Sequence, residues 1–147
     1  MNARWAVATR SLLVVAVISA VTSVASADPK CSDATLDGLY VFTATGWTSV
    51  NPGPPQPKAI VEIIRFNGDG TADVPGGRVS INGSVSTTIG TGTYTSPTPV
   101  DDGCEAILTF ASGPTHYMFI PPKAKDLRFI QVNPNNVFQG TATKVSD

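Results

Sequence analysis

The chain is short of nearly every residue type that carries chemistry. It holds one histidine, His116, and two cysteines, Cys31 and Cys104. A Ser-His-acid triad or a histidine-containing metal centre would have to use His116, and no nucleophile–base signature accompanies it. A cysteine pair without neighbouring histidines or acids is poor material for a metal site. Acids cluster only at Asp101-Asp102. No metal and no cofactor is therefore expected.

Charge is scarce as well. Ionised residues make up 14% of the chain and the formal net charge is −1. Lys123 and Lys125 are the only close basic pair. Nucleic acid needs a basic stripe, and an anionic membrane surface needs a basic patch, so neither is an expected partner. Sustained 3.6-residue apolar periodicity is missing after Asp28, which excludes a helical bundle. All 13 glycines and 12 prolines lie beyond residue 27, a composition that favours strands joined by tight turns.

The N-terminal segment has the order of an export signal. Arg4 and Arg10 are followed by an uncharged apolar run from Ser11 to Val24, then by Ala25-Ser26-Ala27. Charge, apolar run and small residues in that order predict a cleaved signal peptide over 1–27 and a single domain over 28–147. The run of about 14 residues is short for a bilayer core, which needs about 20. Cys31 lies four residues past Ala27, which is not where a lipid-anchored cysteine belongs. A secreted or periplasmic product is expected, without stable membrane insertion after cleavage. Loss of Arg4 and Arg10 leaves 8 cations against 11 acids. Export also places Cys31 and Cys104 where disulfides persist, and a Cys31–Cys104 bridge is expected.

The domain reads as short strands broken by Gly, Pro, Asn and Asp clusters. The expected strands are 39–45, 58–66, 71–81, 86–95, 104–110, 116–120, 126–132 and 137–144. Asn67-Gly68-Asp69-Gly70 and Asn82-Gly83 are hairpin turns. Pro75-Gly76-Gly77 predicts a bulge or bend in the third strand. Residues 46–57 and 96–103 read as loops, the first with four prolines and Trp47. Trp47 is expected to mark a recognition surface or to pack as a lid over one end. About eight strands with short connections fit an antiparallel up-and-down barrel; a two-sheet β-sandwich is the alternative.

Three motifs are discounted. The segment 67–78 has Ala72 and Arg78 where a calcium loop needs Gly and an acid. Gly90-Thr91-Gly92 lacks the third glycine and the helix of a dinucleotide fingerprint. Asn82-Gly83-Ser84 is a glycosylation sequon, relevant only in a eukaryotic host.

Glu62 stands out. In Ala59-Ile60-Val61-Glu62-Ile63-Ile64-Arg65-Phe66 it shares a strand face with Ile60, Ile64 and Phe66. Either that face is exterior and covered by a partner, or Glu62 points inward and is paired, with Arg78 or Arg128 as its cation. A cavity lined by Tyr40, Phe42, Glu62 and Arg128 would make a ligand site. Glu62 and His116 are the candidate acid–base groups should the chain be an enzyme.

The start Cys31-Ser-Asp-Ala-Thr-Leu36-Asp-Gly38-Leu-Tyr40-Val-Phe42 resembles that of a set of small exported bacterial single-disulfide proteins without assigned activity. Gly92-Thr-Tyr94-Thr before Cys104, and Phe129-Ile130 with Pro134 and Gly140-Thr-Ala142, are similar to their middle and end. That resemblance implies fold and export and no activity. Gly38-x-Tyr40 loosely resembles the Gly-x-Trp opening of lipocalins, and the architecture resembles allene oxide cyclase and dirigent-type barrels. The expected role is that of an exported non-catalytic barrel binding a small apolar ligand or a surface partner. A barrel-type cyclase or isomerase acting on a hydrophobic substrate is one alternative, and a structural envelope component is another.

Overall fold

A computed structural model describes residues 31–49 and 53–147. The expected signal peptide, 1–27, and its cleavage point lie outside the described residues. The rest is an antiparallel sheet of nine strands: β1 Asp37–Ser49, β2 Pro55–Asn67, β3 Thr71–Ile81, β4 Ser84–Tyr94, β5 Thr98–Val100, β6 Gly103–Phe110, β7 Thr115–Ile120, β8 Asp126–Gln131 and β9 Val137–Ser146. Neighbours in sequence pair along the sheet except β4 and β5, β1 pairs with β9, and β4 pairs with β6. The sheet thus returns on itself as an up-and-down barrel, as expected. The short β5 lies beside the start of β6, below the stretch where β4 pairs with that same strand.

Alternation decides which residues fill the interior. Tyr40, Phe42 and Ala44 of β1, Glu62, Ile64 and Phe66 of β2, and Ala106, Leu108 and Phe110 of β6 are buried. So are His116, Met118 and Ile120 of β7, Leu127, Phe129 and Gln131 of β8, and Phe138 and Ala142 of β9. Their neighbours in each strand face outward or lie half-buried. The turns follow their sequences. Gly68 and Gly70 take positive φ in the β2–β3 turn, and Asn82 (φ 48°) with Gly83 (φ 86°) makes the two-residue β3–β4 turn.

Two expected loops are partly strand. β1 runs on to Ser49 and β2 begins at Pro55, with Trp47 opposite Pro57 and Ser49 opposite Pro55. Prolines are tolerated there because this end of β2 extends beyond its pairing with β3, which begins at Lys58. Trp47 consequently sits within β1, half-exposed, opposite Val137 on its other side. It is in neither a loop nor a lid. The expected bulge in β3 is present: between the pairs Val74↔Gly90 and Gly77↔Thr88, two residues of β3, Pro75 and Gly76, oppose one of β4, Ile89.

The two ends of the barrel differ. At one end Tyr40, Phe66 and Tyr94 stack edge to face, with centroids 5.3 and 5.5 Å apart. The Tyr94 hydroxyl donates to the carbonyls of Asp33 (3.0 Å) and Leu36 (3.2 Å), tying down the 3₁₀ turn Asp33–Thr35. The Tyr40 hydroxyl donates to the Ala124 carbonyl (2.8 Å) of a second 3₁₀ turn, Pro122–Ala124. Leu36, fully buried, completes the plug. The Cys31–Cys104 disulfide, Cα atoms 5.9 Å apart, fastens the start of this segment to β6. The other end is ragged. β1 and β2 run 13 residues each, β7 and β8 only 6. Residues 84–90 of β4 pair with β3 alone.

The bridge closes a loop spanning 73 positions. Loop entropy assigns such a crosslink about 4 kcal/mol. The double variant Cys31→Ser/Cys104→Ser should lose about that much stability in urea unfolding. A loss below about 1 kcal/mol would mean that the aromatic plug holds the end unaided.

Candidate functional site

The open half of the barrel holds a cavity of about 350 Å³. Its walls are mostly apolar: Phe42, Ile60, Val74, Val79, Phe110 and Phe138. Its polar lining includes Lys58 and Glu62 from β2, Thr87 and Thr88 from β4 and His116 from β7. Ser112 and Pro114 of the β6–β7 turn and Ile89 of β4 also line it.

Each polar group arrives by strand geometry. Lys58, Ile60 and Glu62 are two residues apart on β2 and share its inward face. Gly77 stands opposite both Glu62 and Thr88. A Cβ on Gly77 would run into the Glu62 side chain and Thr88 Oγ1, so the bare glycine lets acid and hydroxyl face each other across β3. Thr88 Oγ1 nonetheless falls short of hydrogen-bond geometry and is left unpartnered among the described residues. Lys58 Nζ lies 4.4 Å from the centre of the Phe138 ring, a cation–π contact. Among the described residues it forms no ion pair with Glu62 or any other acid.

His116 has the least usual surroundings. It is 4% exposed, and neither ring nitrogen has a hydrogen-bond partner among the described residues. Phe42, Phe110 and Phe129 meet it edge-on, at 6.1, 5.9 and 6.3 Å between centroids. Burial, and then the charge of Lys58, push its pKa down to about 4, so the imidazole is neutral at pH 7. Burial raises the Glu62 pKa, partly opposed by the nearby Thr88 hydroxyl and Lys58. Burial lowers that of Lys58, with Glu62 opposing. The cavity therefore presents a donor and an acceptor on one neutral ring, an acid reluctant to ionise, and a cation without an ion-pair partner.

The structure brings Phe42, Glu62 and His116 together and leaves the other two expected residues elsewhere. Tyr40 is locked in the closed end by its bond to Ala124. Arg128 is exposed and borders a shallower groove of about 590 Å³ on the outer face, with Thr43, Thr141 and Gln139. That groove is larger but carries no buried, unpartnered polar group, so the interior cavity is the candidate site. The expected ion pair is corrected likewise. Arg78 is also exposed, its guanidinium donating to the Gly77 carbonyl at 2.9 Å, because the bulge turns it outward. Lys58, Thr88, Phe110 and Phe138 were not anticipated. Lys58 was legible as a member of the Ile60–Glu62 face; Thr88 and the two phenylalanines depended on how the strands close.

Two expectations follow. A histidine with its folded pKa below the unfolded value of 6.5 takes up its proton first in the unfolded chain. Its effect on stability is absent above pH 6.5, grows as pH falls towards 4, and levels off below, spanning about 3 kcal/mol. Glu62 acts with opposite sign, its raised pKa contributing stability at low pH that is lost as pH rises beyond 4.5. Urea melts of wild type and His116→Phe across pH 4–8 separate them. The variant should be about 1–3 kcal/mol more stable at pH 7, free of two unpartnered nitrogens, and should lose the acid-side decline. An unchanged profile would place the imidazole in contact with water. Glu62→Gln should leave stability at pH 7 level or higher, whereas a loss of about 3 kcal/mol or more would reveal an ion pair.

No protein-family model, no curated protein and no solved structure matches this chain, so the functional reading rests on the cavity itself.

Proposed function

We propose that this is an exported binding protein that holds a small, largely apolar molecule in the open half of its barrel. The observation that carries the reading is His116, 4% exposed, ringed by phenylalanines, lining the cavity with both nitrogens unpartnered. A core optimised for stability alone would place an apolar residue there, because an unsatisfied buried polar group costs about 1–3 kcal/mol. Such a cost persists at sites where a ligand supplies the missing partner. The volume, about 350 Å³, lies within the range of small-molecule pockets. The apolar walls supply affinity and the few polar groups supply orientation. The Cys31–Cys104 bridge supports an oxidising compartment. Among the described residues no helix is long and apolar enough to cross a membrane. The export signal read over 1–27 completes the proposal of a secreted or periplasmic protein.

A catalytic reading keeps one specific support: Glu62 with a raised pKa and a neutral His116 line the same cavity, the pairing a proton-transferring cyclase or isomerase would use. Binding is favoured because no hydrogen bond among the described residues orients the His116 ring or fixes its tautomer, as a proton-transferring group requires.

The test is occupancy by an apolar probe. Propylbenzene titrated into the labelled protein should shift NMR signals of Phe42, Phe110 and Phe138 and leave those of Tyr40 and Phe66 in place. Ile60→Trp, which fills the cavity from β2, should unfold as cooperatively as wild type and abolish those shifts. Unchanged spectra at millimolar probe, or shifts that survive Ile60→Trp, would overturn the reading.

A further inference from the structure

The polar groups of the cavity restrict the chemistry of what it holds. Lys58 and Glu62 stand four residues apart on the same inward face of β2, opposite in sign and not in ion-pair contact. A cationic ligand in so small a space meets Lys58, and an anionic one that pairs with Lys58 still lies in the same small space as Glu62, itself disfavoured in its charged form by burial. A net charge also faces phenyl edges and aliphatic walls that cannot solvate it. An uncharged ligand avoids all three penalties.

His116 narrows the choice again. Its neutral ring carries one N–H donor and one lone-pair acceptor, and nothing among the described residues fixes which nitrogen is which, since neither has a partner. A carbonyl or ether on the ligand could only accept, and so would serve one tautomer at the nitrogen it reaches. A hydroxyl both donates and accepts, and so completes whichever nitrogen faces it. The Thr88 hydroxyl, buried and without a hydrogen bond among the described residues, lines the same cavity beside Glu62 and has the same two-way capacity. Around these points the walls are flat rings and branched aliphatic groups, suited to a compact ring more than to a long chain.

We propose that the cavity takes an uncharged, hydroxyl-bearing ring compound, of the class of phenols and cyclic alcohols, with its oxygen hydrogen-bonded to His116. At about 30 Å³ per water-sized group, 350 Å³ accommodates about a dozen non-hydrogen atoms. The inference rests on the cavity being a binding site and adds the headgroup.

Four probes of one skeleton test it: propylbenzene, 4-propylphenol, 4-propylbenzoate and 4-propylbenzylamine, titrated by calorimetry at pH 7. The phenol, uncharged at that pH, should bind about tenfold or more tightly than propylbenzene, the worth of one good hydrogen bond. The benzoate and the amine should bind more weakly than the phenol. The ¹⁵N signals of the His116 imidazole should move with the phenol and stay in place with propylbenzene. In His116→Phe the phenol should lose its advantage while propylbenzene still binds. Propylbenzene binding as tightly as the phenol, a charged probe binding more tightly, or unmoved imidazole signals would overturn the headgroup assignment and leave the apolar site standing. Failure of all four probes to bind would overturn the site as well. The wild-type titrations and ¹⁵N signals decide the matter even if His116→Phe fails to fold.

Discussion

The closed end of the barrel is the constraint on which the rest depends. A ring of eight strands enclosing about one layer of side chains has no centre of its own; something must fix the diameter and stop the interior from flooding. Tyr40, Phe66 and Tyr94 do so by filling the cross-section edge to face. The two tyrosine hydroxyls then reach past the strand ends to carbonyls of the capping turns, so the plug and its cover hold each other. Burial raises the pKa of the Tyr40 hydroxyl to about 12, and it stays a donor throughout the working pH range. With Cys31 fastened to Cys104 at the same end, the plug lies between a covalent tie and a hydrogen-bonded one.

A barrel sealed at one end is free to be imperfect at the other. The long β1–β4 wall overhangs the short β6–β8 wall, and the free stretch of β4 leaves the cavity open at the side. The bulge in β3 adds the chemistry. One extra residue between Val74 and Gly77 reverses which side chains point inward, so that Gly77, Val79 and Ile81 face the interior and Arg78 does not. The absence of a side chain at Gly77 makes room for Glu62 and Thr88, and the outward turn of Arg78 leaves Glu62 without the cation that would have neutralised it.

The two halves thus express opposite physical rules. In the closed half the tyrosine hydroxyls are satisfied and the packing is dense. In the open half His116, Thr88 and Lys58 lack their usual partners, and the pKa values of His116, Lys58 and Glu62 move away from their charged forms. Among the described residues three of the five buried side-chain atoms without a hydrogen bond, two on His116 and one on Thr88, belong to this one cavity; the others are on Asp33 and Gln131. Such groups on a frame made rigid elsewhere are what a binding site needs.

The sequence by itself determined eight of the nine strands, though not β5 or the proline-bearing start of β2, because period-2 alternation and the Asn-Gly and Gly-x-Gly turns act over a few residues. It determined the disulfide, because only Cys31 and Cys104 exist to form one. Alternation also carried more than was read from it: Leu127-Arg128-Phe129 already places Arg128 on the face opposite two large apolar residues, and His116-Tyr117-Met118-Phe119-Ile120 aligns the histidine with Met118 and Ile120. The tertiary structure alone decided which face of β2 is interior, since Val61 and Ile63 on one side rival Ile60, Ile64 and Phe66 on the other. It alone decided the fate of Arg78, because parity counted from Ala72 and Val74 points it inward until the bulge reverses the count. And it alone gathered Lys58, Glu62, Thr88 and His116, which come from three strands spread over about half the barrel. Local periodicity fixes which residues share a face; only closure of the ring fixes what that face meets.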